Sequence, residues 1–352
     1  MIKKDKEFFI DLLAAPSPSG YELPASLLWR KYVSQFAEKV YSDYHGNSIA
    51  AVNIKGKQRL LFTGHIDELG FIVNFISDKG FIYFRPIGGH DRGIISGRGV
   101  LIYTSKGPVA GVTGKKAIHM MTPDERKKVP EVEDIWIDIG AASREDAKKV
   151  VSVGDPVVYD VQFNSITDKI VTSRAFDDKA GAFAIALALK LIKGKRIVPA
   201  VYAVATVQEE IGIRGAHTSA YGIDPHVGIA VDVTHATDHP DVDTRKEGEV
   251  KLGNGPVILR GANANPVLSR MLIEIAKKNK IPYQLEAYGG GTGTDANAIQ
   301  LTRKGVATAL VSIPLRYMHT PREVIHLDDV ENCAKLLAEF ALCYKDASDY
   351  LL

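Results

Sequence analysis

Five stretches of the chain put acidic or imidazole side chains at the borders of apolar runs: His65-Ile66-Asp67, Asp177-Asp178, Glu209-Glu210, Asp232 and His319. Two imidazoles with several carboxylates form the mixed N/O donor set that a pair of divalent metal ions needs. Such a centre requires a bridging carboxylate and terminal ligands for each ion. The chain supplies that set with one glutamate left over to act as a base.

Each motif also has an ordinary reading. A histidine after a strand, such as His65, is commonly a hydrogen-bonded structural residue. In extended chain, positions i and i+2 point the same way, so Asp67 can accept the free ring N–H of His65. Asp177-Asp178 opens an apolar helix, where a carboxylate caps the helix and complements its dipole; one would suffice for that. Glu209-Glu210 follows the apolar run Ala200–Val207. Adjacent buried glutamates repel each other and lose hydration, a cost that a metal on one and a raised pKa on the other would offset. Exposed loop glutamates are the alternative. Asp232 lies inside Ile229–Val233 and needs a partner, either a metal or a hydrogen-bond donor. His319, in Tyr317-Met318-His319-Thr320-Pro321, is weak alone.

The elements around these residues give them a common location. Tyr21–Ala37 reads as an amphipathic helix, and Gln58–Thr63 as a buried strand ending at Gly64-His65. From Ser165 onward, helical patterns over Lys179–Lys193, Ile213–Tyr221, Pro266–Lys280, Asp295–Lys304 and Leu327–Tyr344 alternate with apolar strands. Those strands are Pro199–Val207, Val227–Val233, Tyr283–Ala287 and Ala307–Ile313. Alternation of this kind predicts an α/β fold, with a central, mostly parallel sheet and helices on both faces. Ligands collect at the strand ends of such sheets.

Between Gly70 and Asp160 the texture differs. Short β-rich runs are broken by turn signals such as Asp78-Lys79-Gly80 and Ser105-Lys106-Gly107-Pro108. That pattern predicts a small barrel or sandwich. The expected organisation is therefore a discontinuous catalytic domain over residues 1–67 and 165–352, interrupted by an inserted β-barrel-like domain over 68–164.

Composition excludes several functions. A net charge of +2 over 352 residues, with basic residues scattered, points to neither nucleic acid nor an anionic membrane as partner. Arg126-Lys127-Lys128 reads as a solvated face. Cys333 and Cys343 are the only cysteines and lie ten positions apart on one helical pattern, too far to bond along a straight helix. Reduced thiols imply a cytoplasmic protein. Asp5, Glu7 and Asp11 interrupt any export signal, and no apolar stretch reaches the ~20 residues of a membrane span. Gly289-Gly290-Gly291-Thr292-Gly293 lacks the Lys-Ser/Thr ending of a phosphate loop and reads better as a mobile cleft edge. His235 and His239 either line the cleft or face solvent.

Taken together, the sequence resembles the tetrahedral aminopeptidases, the glutamyl-aminopeptidase-like family of co-catalytic metallopeptidases. The matching stretches are Thr63–Glu68, Ser173–Lys179, Val207–Glu210, Val231-Asp232 and Arg316–Pro321. The resemblance implies that His65, Asp177 and Asp232 bind one ion and that Asp177, Glu210 and His319 bind the other. It gives Glu209 the role of general base and acid, and Asp67 that of orienting His65. It further implies zinc or cobalt, with manganese possible, and short peptides as substrates. The Asp177–Asp178 bond is expected to be cis, the insertion to mediate dimerisation, and the dimers to form a dodecamer. Gly88-Gly89-His90-Asp91 departs from the family's Gly-Gly-Trp-Asp, a change expected to bear on assembly more than on chemistry. Arg260 and Arg316 leave an acidic first-residue preference open. Residues alone also admit an endoglucanase-like glycoside hydrolase working through paired carboxylates, or a non-catalytic metal-binding assembly protein.

Overall fold

A computed structural model describes all of residues 1–352. Four parallel strands form the centre of an 11-stranded sheet, in the spatial order Ala200–Thr206, Arg59–His65, Val227–His235 and Ala307–Arg316. Both flanks are antiparallel. Ser48–Val52 and Lys39–Ser42 extend one side. Glu323–His326, Ile170–Ser173 and Asn164–Ser165 extend the other. A branch, Val257–Gly261 with Gln284–Tyr288, leaves the strand Ala307–Arg316. The parallel arrangement expected from the sequence thus holds at the centre, where strands are buried on both faces and read as continuous apolar runs.

Helices cover both faces. Phe176–Ile192 is apolar nearly all round and packs against the sheet beneath Leu327–Cys343, so it is buried along almost its whole length. Helix Pro266–Lys278 begins as its sequence indicates: Pro266 occupies the first turn, and the Asn265 side chain accepts from the Val267 and Leu268 amides. The opposite face carries Arg214–Ile223 and Asp295–Gln300, whose Ala220, Ile223, Ala296 and Ile299 pack on Leu61, Val204 and Leu310. An N-terminal helix, Lys3–Ala14, buries Phe9, Leu12 and Leu13.

Between His65 and Asn164 the chain builds a closed six-stranded antiparallel barrel, from Gly70–Ile76 to Pro156–Tyr159. Its core of Phe71, Val73, Ile82, Phe84, Val100, Ile102, Ile137 and Val157 is separate from that of the sheet. Closure leaves no open strand edge. The turn Asp78-Lys79-Gly80 closes its first hairpin, with Gly80 at φ +84° and its amide bonded to the Ser77 carbonyl at 3.0 Å. Both cysteines are unpaired, and no helix is long and apolar enough to cross a membrane.

Candidate active site

The parallel strands share their C-terminal edge, and the five motifs meet there. His65 ends its strand beside Thr206. Ala230 pairs with Thr63, so two residues further on Asp232 and His65 emerge side by side. Glu209 and Glu210 follow Thr206 by one tight turn, with Gln208 at φ +56°. His319 stands three residues past its strand, at φ +59°. Ala175, at φ +61°, turns the chain into Asp177-Asp178, which is joined by a cis peptide bond. Left-handed backbone at non-glycine residues costs energy and gathers at functional sites, as it does in three of these segments.

Asp177 occupies the middle. Its Oδ1 lies 3.0 Å from Nε2 of His65, and its Oδ2 lies 3.3 Å from Nε2 of His319. Glu210 Oε2 is 3.7 Å from the same His319 nitrogen, and Glu209 Oε2 is 3.9 Å from Nε2 of His65. Candidate donor atoms of His65, Asp177 and Glu210 all fall within 4.8 Å of one another, as do those of His65, Asp178 and Asp232. Within the second group, Asp178 is already engaged: its Oδ2 accepts the His65 amide at 3.1 Å and its Oδ1 the Gly181 amide at 3.0 Å.

Asp67 meets His65 twice. Its backbone carbonyl lies 3.1 Å from Nδ1, and its carboxylate 3.4 Å away. That carboxylate has further partners. It accepts the Ser19 hydroxyl at 2.6 Å, the Glu209 amide at 3.0 Å and the Glu210 amide at 3.2 Å. Asp67 therefore fixes the glutamate turn as well as the imidazole. Glu68 next to it is buried with Arg174 and with Lys179 Nζ at 3.0 Å, tying the start of the Asp177 helix to the chain leading into the barrel.

Electrostatically the cluster is short of positive charge. Burial pushes Glu209 up to about 10, with Asp232, Asp295 and Glu210 adding to the shift. Burial and then Asp177 raise Glu210 to about 8 and Asp232 to about 7. Asp177 moves the other way: burial opposes its ionisation, but hydrogen bonds to His319 and His65 hold it below the usual range. The bond to Asp177 lifts His319 to about 9. The Oε1 of Glu210 is buried without a partner. Crowded carboxylates, two imidazoles and an unpartnered carboxylate oxygen are what divalent cations would neutralise, so the residues fit metal ions.

The site opens into a cleft of about 550 Å³ lined also by Ile213, Thr234, Leu259, Glu286, Tyr288 and Met318, a size suited to small substrates. His235, Thr292 and Gly293 line it too, so the glycine-rich loop does border the cleft. His239 turns away to the Pro240 carbonyl. Arg316 is forked onto Asp238 at 2.7 Å through two nitrogens, and Arg260 lines a neighbouring hollow. Neither faces the cluster.

The Gly88–Asp91 segment borders the site as well as belonging to the barrel, which lays Gly88 against Glu210 and Gly89 against His319. His90 anchors that segment by stacking on Phe71, with its ring centroid 4.4 Å away, and through its Nε2, 2.8 Å from the Gly70 carbonyl. The residues also gave no warning of Glu323, whose buried carboxylate accepts the Asp177 amide at 3.1 Å. Asp295, which accepts the Thr206 hydroxyl at 2.7 Å behind the site, was missed as well. Its place at the start of a predicted helix, on the same sheet edge, was an available signal.

Comparison with known proteins agrees with this geometry. The family model for M42 glutamyl aminopeptidase matches residues 46–336. A lysyl aminopeptidase of Pyrococcus furiosus is 36% identical over 339 residues, 94% of this chain and 95% of its own. Among solved structures, a TET aminopeptidase from a marine sediment Thaumarchaeota archaeon superposes with a TM-score of 0.93 at 36% identity, covering 97% of this chain and 96% of its own. A Pyrococcus horikoshii TET1 peptidase, described as assembling into a tetrahedron or a large octahedral shell, gives 0.86 at 33% identity over 97% and 100%.

Proposed function

The chain belongs to the M42 glutamyl aminopeptidase family, and from that premise we propose a metal-dependent aminopeptidase that removes the first residue from short peptides. The observation that carries the metal reading is Asp177, whose two oxygens face two imidazoles at 3.0 and 3.3 Å. His65, Asp177 and Asp232 would hold one divalent ion, and Asp177, Glu210 and His319 a second. The donor set suits zinc or cobalt and also admits manganese. Bound there, the ions would polarise the scissile carbonyl and make water acidic near neutral pH.

The protein's own groups do the rest. Glu209 points into the cluster beside His65 and accepts the proton of the attacking water. It then delivers that proton to the amine nitrogen as the C–N bond breaks. Asp67 holds both the His65 ring and the Glu209-Glu210 turn, so base and ligands keep one geometry. We assign residues 1–67 and 165–352 to the catalytic unit and 68–164 to a dimerisation unit. Dimers would assemble into a dodecamer in the cytoplasm. The family and the imidazole-facing carboxylates do not favour an endoglucanase-like glycoside hydrolase or a non-catalytic metal-binding assembly protein.

Glu209→Gln tests the assignment. Losing general-base help is typically worth ~10²–10⁴-fold. Turnover of aminoacyl anilides should fall by that order while elemental analysis finds the metal content of the wild type. Unchanged turnover would remove Glu209 from the mechanism.

A further inference from the structure

We infer that the cleft selects a basic first residue, Lys or Arg, through Glu286, an inference that rests on the aminopeptidase reading. Glu286 lies on the strand Gln284–Tyr288 and lines the same cleft as the metal-binding cluster. Its Oε2 accepts the Thr234 hydroxyl at 2.9 Å, which aims the carboxylate and leaves the other oxygen for a ligand. Thr234 follows Asp232 by two positions on one strand, so both side chains face the same way. Two residues of strand span about 6.6 Å, close to the reach of an extended lysine side chain. A substrate whose scissile bond sits at the cluster would thus bring the end of its first side chain near Glu286.

Charge points in the same direction. No lysine or arginine lines the cleft. Arg316 is paired with Asp238, and Arg260 and Arg270, which line an adjoining hollow that Glu286 also borders, make no ion pair with it. Two divalent ions would offset the four carboxylates of Asp177, Glu209, Glu210 and Asp232, and Glu286 has no ion-pair partner of its own. An acidic first residue would meet repulsion from Glu286 with no lysine or arginine in the cleft lining to relieve it. Apolar Leu259, Leu310 and Met318 line the same space and can pack the methylenes of a basic side chain.

The test compares kcat/KM for Lys-, Arg-, Leu- and Glu-p-nitroanilide, using metal-loaded wild type, Glu286→Gln and Glu286→Lys. Wild type should favour Lys and Arg over Leu, with Glu last. Charged hydrogen bonds of this kind correspond to tenfold or more, so Glu286→Gln should lower the Lys/Leu ratio by about tenfold or more. Glu286→Lys should raise the Glu/Leu ratio. Equal loss on Lys and Leu in Glu286→Gln would mean that Glu286 serves the α-amine or the fold and would overturn the inference, as would wild-type preference for Glu. If the loaded wild type cleaves no anilide, the exopeptidase reading fails, and calorimetry with L-lysinamide then decides the subsite alone. Binding that Glu286→Gln abolishes supports it; binding that is absent or unaltered overturns it.

Discussion

The buried carboxylate of Asp67 accepts the backbone N–H of Glu209 at 3.0 Å while lying 3.4 Å from the His65 ring. One side chain therefore spaces a proposed base from a proposed metal ligand. Asp67→Asn replaces one acceptor oxygen with an NH₂ among donors: the Ser19 hydroxyl and two amides. A buried donor left unpaired costs about 1–3 kcal/mol. Partners that orient metal ligands are typically worth 10–100-fold in affinity or activity. Asp67→Asn should lower both kcat and metal affinity by that order, read by anilide turnover and by metal titration. Retention of both would reduce Asp67 to a packing residue.

Asp177 offers one oxygen to each imidazole, so its loss should be felt on both sides of the site. Asp177→Asn removes the shared charge and one of the two donors. Both ion affinities should drop by more than about tenfold, since even residues acting through a ligand reach that size. Elemental analysis after dialysis should find fewer than two ions per chain. Two tightly held ions would rule out the bridge.

Metal-free protein should become less stable as pH rises above about 5. Glu209, Glu210 and Asp232 have folded pKa values raised to about 10, 8 and 7. Above pH 5 the unfolded carboxylates are ionised while the folded ones resist it, so folding loses ground as pH climbs through those values. His319, raised to about 9, acts in the same sense: the stability it adds is complete below its unfolded pKa and lost as pH rises through 9. Asp177, held low, matters only in acid. Thermal melting of chelator-treated protein should therefore give a lower Tm at pH 8.5 than at pH 5.5 (roughly the ends of this window), and added zinc should raise Tm more at the higher pH. A Tm that rises with pH in the metal-free protein would contradict this.

Much of the site was legible because buried parallel strands announce themselves. Ile229–Val233 and Ala200–Val207 are apolar on both faces, so an ionisable residue within or just past them stands out. Glu323 escaped because its strand has only four residues and begins beside Arg322, so it resembles an exposed loop charge. Glu286 sits on a half-exposed branch strand whose alternation carries no sign of what it faces. The first sheet strands, Lys39–Ser42 and Ser48–Val52, are short and flank a polar turn; Ser48–Val52 gains its place by pairing with Ala200–Thr206, and Lys39–Ser42 by pairing with Ser48–Val52 in turn. The contact of Gly88 and Gly89 with the cluster spans more than a hundred residues and depends on how the barrel packs. No local pattern encodes that.

That barrel contact yields a paired test. Gly88 has φ +78°, and an added Cβ would come 2.3 Å from Leu69 Cδ2 and 3.4 Å from Glu210 Cβ. Gly140, in a turn of the same barrel, has φ +74° with nothing within 4 Å. Alanine at either position incurs the left-handed backbone cost of about 1–2 kcal/mol. Only Gly88→Ala also has to displace Leu69, which lines the site beside Glu210. Gly88→Ala should therefore melt at or below the temperature of Gly140→Ala, while kcat falls about tenfold or more in Gly88→Ala and stays near wild type in Gly140→Ala. A displacement of about 1 Å at a catalytic group is enough for such a loss. Equal kcat in the two variants would show that the barrel merely covers the cluster without setting its geometry.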